Sequence, residues 1–247
     1  MPEVGRRAPA AVLFDVDDTL VDFGGAARLA LADVVQAHLA GDDDDPGLAD
    51  AAHVAWHRVS EREYERFTRG EVDFDQMRLN RMAAFLAAIG RPGANRLSHE
   101  LLEEHRNAAI FGHFRVFDDV PACLQRLQDL GVTVRVLSNS DGAYQRVKLA
   151  AVGLGDLGDT GFYSGELGFA KPDPRIFRAA AAALRLRPDQ ITYVGDRWEV
   201  DVLGSAAAGM RPVWLNRTGL ARPSTGLQPL RAPVVEITSL AELDISA

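Results

Sequence analysis

The sequence has one cysteine, Cys123, and only two lysines, Lys148 and Lys171, among its 27 basic residues. A single thiol cannot close an intrachain disulfide, so no covalent framework holds the fold, and a reducing, cytoplasmic location is expected. No run of about 18 apolar residues is present, so no membrane-spanning helix is expected. The first residues, Met-Pro-Glu-Val-Gly-Arg-Arg, lack the apolar stretch of about 7–15 residues that a signal peptide needs. Excess positive charge is absent too: the net charge is −8 and the pI about 5.3. An acidic surface attracts neither nucleic acid nor an anionic membrane, so neither is an expected partner. A small anionic substrate is not excluded, because it responds to the local field of its site and of any bound metal.

What is present describes a globular chain. Of 247 residues, 47% are hydrophobic and 25% charged, enough for one large domain or two modest ones. The scarcity of lysine beside abundant arginine, alanine and glycine fits a GC-rich coding bias. A lysine retained against that bias hints that an ammonium is wanted at its position.

Residues 10–14 (Ala-Ala-Val-Leu-Phe) read as a short buried strand that ends abruptly in acids. Gly24-Gly25 follow, with the backbone freedom of a turn or hinge. From 26 to 111 the periodicity is helical. Leu79, Met82, Leu86 and Ile89 form one helix stripe, with Asp73 and Gln76 spaced like a capping box before it. Trp56, Val59, Tyr64 and Phe67 mark another helix, ending at Gly70. The acidic run 42–45, followed by Pro46-Gly47, reads as a solvated loop. After Phe114 the pattern changes. Val120, Leu124, Leu127 and Leu130 predict a helix with Asp119 as N-cap and Gly131 just past its end. Strands are predicted at 132–137, 161–163, 191–194 and 212–215, with a candidate last strand at 234–237. Helices are predicted over 142–151, 174–186 and 199–208. This alternation predicts an α/β fold: a Rossmann-like parallel sheet core, residues 1–22 and 112–247, interrupted by an all-helical cap, residues 23–111.

Four features fall just after predicted strands, on the edge where open α/β sheets bind ligands. Asp15 and Asp17 are carboxylates at i, i+2, on one side of an extended chain; two acids so close repel unless a cation lies between them. Ser138-Asn139 offers a hydroxyl and backbone N–H groups to an anion. Lys171 stands in Gly-Phe-Ala-Lys-Pro-Asp-Pro, stiffened by two prolines, with Pro174 opening a helix. Asp196 and Asp201 add two acids five apart. Clustered carboxylates facing a lysine and a serine suit Mg²⁺ and a phosphate held between metal and ammonium.

Residues 14–20 (Phe-Asp-Val-Asp-Asp-Thr-Leu), the Ser138 strand end, the 168–174 segment, and Gly195-Asp196 with Asp201 resemble the four motifs of the haloacid dehalogenase-like superfamily. They stand in that family's order and spacing, with the helical insert between the first and second. The resemblance implies a Mg²⁺-dependent phosphatase acting on a small phosphorylated metabolite. Asp15 would attack phosphorus and carry an aspartyl phosphate, and Asp17 would protonate the leaving oxygen and then activate water. Ser138, Asn139 and Lys171 would hold phosphate oxygens. Asp15, the backbone carbonyl of Asp17 and Asp196 would ligate the metal. Asp201 would orient the metal shell, and Thr19 would fix the turn carrying Asp17. Asp18 stands where many relatives have glycine.

Other features read as structural. Lys148, inside a predicted helix, is expected on a solvated face. His53 and His57 lie at i, i+4 but lack the glutamate and third ligand of a zinc site. Two enzymatic alternatives stay open: a phosphomutase of the same fold, and a metal-independent haloacid dehalogenase, which usually lacks an acid at the position of Asp17. A non-catalytic scaffold would not need the full set. Either a monomer or a homodimer is compatible with the sequence.

Overall fold

In the computed structural model, the described residues are 9–39, 47–91, 99–223 and 233–245. The acidic run 42–45 and the first eight residues lie outside them. The chain divides into two compact units, Met1–Phe23 with Arg115–Ala247, and Gly24–Phe114.

Among the described residues, the first unit is built on six strands: β1 (Ala11–Phe14), β2 (Thr133–Ser138), β3 (Phe162–Tyr163), β4 (Ile191–Gly195), β5 (Arg211–Leu215) and β6 (Val235–Ile237). All pair in parallel, in the order β3-β2-β1-β4-β5-β6. The chain winds outward from β1 to β3, then returns to the other side of β1 with β4. That reversal places a topological switch point at the ends of β1 and β4, where such sheets hold ligands. β1 is central and every one of its residues is buried, which explains its unbroken apolar run.

The helices of this unit are α5 (Val120–Asp129), α6 (Gly142–Ala151), α7 (Gly155–Asp159), α8 (Ser164–Leu167), α9 (Pro174–Ala183) and α10 (Leu203–Ala208). On one sheet face, Ile176, Phe177, Ala180 and Ala181 of α9 pack against Ala11, Leu13, Ile191 and Tyr193. These strand residues alternate in sequence, as one face of a pleat requires. α5 departs from the expected stripe: Val120, Cys123 and Leu127 are buried while Leu130 is exposed. Asp119 precedes α5 without capping it. Its carboxylate accepts hydrogen bonds from Arg217, Ser239 and the Leu240 amide instead.

The described elements of the second unit are helical: α1 (Phe23–Val34, beginning one residue earlier), a wider turn over Val35–Leu39, α2 (Leu48–Thr68), α3 (Phe74–Ala88) and α4 (His99–His113). Gly24 and Gly25 lie in the first turn of α1, so their freedom is not spent on a chain reversal. Gly70 does end α2, at φ +72. Asp73 caps α3 by accepting from the Gln76 amide, but the Gln76 side chain turns to Asn80, so only half of the capping box forms. Met82, Phe85 and Leu86 of α3 join Trp56, Ala52, Leu31 and Leu102 in the core, while Leu79 and Ile89 are only partly buried. Among the described residues, no helix is long and apolar enough to cross a membrane.

Candidate active site

The strand register brings the first acids together. Phe14 aligns with Val136 on one side and Val194 on the other, so Asp15 emerges level with Leu137 and Gly195. Its amide donates to the Val194 carbonyl at 2.9 Å. A tight turn follows, closed by Leu20 and Val21 amides on the Val16 carbonyl and by the Asp18 amide on Val21. Asp18 adopts φ +58 there, a left-handed conformation that aspartate tolerates better than most side chains. The turn is thus fixed by backbone bonds. The Thr19 hydroxyl, expected to brace it, instead donates to Asp196 Oδ1 at 3.4 Å, and Arg217 holds the Thr19 carbonyl.

Lys171 is buried at the centre. Its ammonium lies 2.8 Å from Asp15 Oδ1, 2.7 Å from Asp201 Oδ1 and 2.9 Å from the Tyr193 hydroxyl. Those contacts engage all three of its protons. Asn139 sets the height of this lysine: its side-chain oxygen accepts from the Lys171 amide at 2.6 Å, and its nitrogen donates to the Lys171 carbonyl at 2.8 Å. The Asn139 side chain is therefore spent on a loop clamp, leaving only its backbone for an anion. Asp201 is fully buried and both of its oxygens are engaged, Oδ1 by Lys171 and Tyr193, Oδ2 by the Arg197 amide at 3.0 Å. Asp196 follows β4, its carbonyl accepting from the Trp214 indole at 2.8 Å.

Ligand atoms of Asp15, Asp196 and Asp201 all lie within 4.8 Å of one another. With Lys171 as their buried cation, three carboxylates against one ammonium leave two formal negative charges. Burial, reinforced by this mutual repulsion, pushes Asp15 up to about 7 despite Lys171, and Asp196 up to about 8. Burial works against the charge on the Lys171 ammonium, but Asp15 and Asp201 outweigh it and drive the group above its usual range. A largely buried all-oxygen donor set whose full ionisation leaves two negative charges in excess is suited to a hard divalent cation.

Asp17 stands apart from this cluster, and its partners were not anticipated from sequence. Lys148 does not lie on a solvated face: it is 0% exposed, with its ammonium 2.6 Å from Asp17 Oδ1. Gln145, one helical turn earlier on α6, donates to Ser138 Oγ at 2.8 Å and approaches Asp17 Oδ2 at 3.4 Å. The signal was available: Gln145 and Lys148 are i, i+3 on the helix that follows Ser138-Asn139, hence one face. Tyr193 was missed for a different reason, because a tyrosine within a strand reads as core. His57 is exposed beside Glu61 at 3.6 Å, and neither His53 nor His57 belongs to the aspartate triad that is the metal-capable cluster among the described residues.

The model of the haloacid dehalogenase-like hydrolase family matches residues 9–209. Phosphoserine phosphatase of Thermus thermophilus is 34% identical over 170 residues, covering 64% of this chain and 66% of that one. Glyceraldehyde 3-phosphate phosphatase of Methanopyrus kandleri is 28% identical over 209 residues, covering 84% of each chain. Among solved structures, the HAD-hydrolase YfnB of Bacillus subtilis superposes with a TM-score of 0.75 at 22% identity, covering 96% of this chain and 97% of that one, which speaks to the fold. The chain belongs to the haloacid dehalogenase-like hydrolases.

Proposed function

We propose that this enzyme is a Mg²⁺-dependent phosphatase that hydrolyses a small phosphomonoester through an aspartyl phosphate on Asp15. The observation that carries this reading is the division of four carboxylates into two sets. Asp15 and Asp201 hold Lys171 with Asp196 beside them in one cluster, while Asp17 is separately paired with Lys148. One set suits a metal and a nucleophile, and the other a proton shuttle.

Asp15, Asp196 and the Asp17 backbone carbonyl would hold Mg²⁺; Asp201, with both oxygens engaged, braces Lys171 instead. Bound there, the ion would draw charge from the phosphoryl oxygens and offset repulsion between phosphate and the attacking carboxylate. The Asp15 carboxylate attacks phosphorus, the bond to the ester oxygen breaks, and that oxygen takes a proton from Asp17. Esterification removes the charge from Asp15, and the Lys171 proton directed at it becomes available to a phosphoryl oxygen, alongside Ser138 Oγ and the Asn139 backbone. Asp17, now a carboxylate, takes a proton from water as that water attacks phosphorus. The bond to Asp15 breaks, releasing phosphate and restoring both acids.

The named relatives, one acting on phosphoserine and one on glyceraldehyde 3-phosphate, support a small phosphomonoester as the substrate class. The site machinery handles only the phosphoryl group, so we assign leaving-group selection to a cap formed by the helical unit Gly24–Phe114. A cytoplasmic location belongs to the same reading.

The test is a panel of phosphorylated metabolites with Mg²⁺, with acid-quenched enzyme mapped by mass spectrometry. Phosphate should be trapped on Asp15, and Asp15→Asn should lower kcat by at least about three orders of magnitude. Phosphate trapped on any other residue would overturn the assignment.

A further inference from the structure

We propose that Lys148 is a positioning residue for the proton transfer to the leaving group, acting by fixing one oxygen of Asp17 so that the other carries the proton. The inference rests on the phosphatase reading above, in which Lys148 is only a counter-charge, and assigns it a positioning task.

A lysine is among the residues least often fully buried, and its burial is costly unless paired and hydrogen-bonded. Lys148 is 0% exposed, whereas its partner Asp17 retains 34% side-chain exposure. The ammonium is therefore enclosed while the carboxylate reaches toward solvent. It lies over two aromatic rings, 4.8 Å from the centre of Phe23 and 5.1 Å from that of Tyr144, contacts that favour a cation at this point. The 2.6 Å contact takes Asp17 Oδ1. Among the described residues, Asp17 Oδ2 has only the 3.4 Å approach of Gln145, whose amide is anchored 2.8 Å from Ser138 Oγ.

The two carboxylate oxygens are thus inequivalent. Oδ1 is committed to a buried charge, and Oδ2 is left for exchange with a substrate oxygen or water. Without Lys148, Asp17 rotates among rotamers, and alignment must be found anew at each turnover. Misplacement of a catalytic group by about 1 Å is enough to cost on the order of 100-fold. The arrangement also ties Asp17 to the phosphate-binding strand end, because Gln145 and Lys148 share one face of α6 with Gln145 on Ser138. Phosphate seat and proton donor are held by the same helix.

The loss should appear only where a proton must reach the leaving oxygen. The experiment compares kcat/KM, which reports bond breaking to the leaving group, for an alkyl phosphate and for p-nitrophenyl phosphate, whose leaving group departs with little protonation. Wild type, Lys148→Met and Lys148→Gln are measured with Mg²⁺, and folding is checked by circular dichroism. Lys148→Met should lower kcat/KM on the alkyl ester by about 10–100-fold and shift the alkyl-to-aryl ratio by at least about tenfold. Lys148→Gln, which keeps a hydrogen-bond donor, should shift the ratio less. It also serves as the reporting variant if the methionine protein does not fold, with a shift of about threefold or more then required. An equal loss on both esters, or none on either, overturns the proposal by showing a merely structural lysine. Failure of wild type to hydrolyse either ester would instead count against the phosphatase reading.

Discussion

The side chain of Asp201 occupies the space into which residue 195 would extend a β-carbon: placed on Gly195, that carbon would lie 2.6 Å from Asp201 Cβ and equally close to Oδ2. The glycine that ends β4 is therefore required by its neighbour's side chain rather than by its own φ. Asp201 in turn holds Lys171 at 2.7 Å.

Gly195→Ala should then act at a distance, displacing Asp201 and with it Lys171. We expect a fall in kcat of about tenfold or more and a stability loss of about 1–3 kcal/mol from overpacking. Steady-state kinetics and urea unfolding check both. An alanine variant with wild-type kcat would show that Asp201 can retreat without consequence.

Metal binding should be visible without turnover. Because full ionisation of the Asp15, Asp196 and Asp201 cluster needs a counter-charge beyond Lys171, Mg²⁺ should raise Tm, and the rise should be lost in Asp196→Asn. Activity should stop with EDTA and return with Mg²⁺, Mn²⁺ or Co²⁺. Ca²⁺, with looser and higher coordination, should not restore it. Full activity in EDTA after exhaustive dialysis would contradict the site.

Asp119 gives a pH signature. Burial raises its pKa, but Arg217, Ser239 and the Leu240 amide outweigh that and hold it down to about 2, from 3.8 when unperturbed. Because the folded value is the lower one, the stabilisation is present above about pH 4 and lost as pH falls towards about 2. Its size should be on the order of 1–2 kcal/mol once solvent screening is allowed for. Asp119→Asn should be less stable than wild type at pH 7, and the gap should close towards pH 2. A gap independent of pH would remove charge from the explanation.

In the helical unit, Glu103 is the buried counter-ion of a three-arginine cluster. It accepts from Arg106 at 2.8 Å through both oxygens and from Arg81 at 2.5 Å, with Arg78 at 3.4 Å. The Arg81 and Arg106 guanidinium groups lie 4.8 and 5.0 Å from the Trp56 ring centre. Glu103→Leu would leave the buried Arg106 and the partly buried Arg81 without this counter-charge, at a cost of about 3–5 kcal/mol. Thermal unfolding followed by tryptophan fluorescence reads this directly. A loss below about 1 kcal/mol would show that the arginines find water.

The sequence by itself determined the sheet and the inventory of reacting groups. The central strand β1 was the plainest, because a parallel strand buried at every residue is apolar throughout, whereas β2 carries Arg135 and β6 is mostly exposed, so their signal came from alternation with the helices. Asp15, Ser138, Lys171 and Asp196 could be placed near one another because strand ends in such a sheet share an edge. Which charge pairs with which was settled by the folded chain alone. Asp119 looked like a helix cap and is a clasp for Arg217; Thr19 looked like a brace for the Asp17 turn and reaches Asp196; Lys148 looked solvated and is buried on Asp17. Periodicity reports whether a position faces the core only when the side chain is apolar. A buried cation carries no such mark, because its burial is favourable only through a partner 131 positions away, brought to it by the sheet.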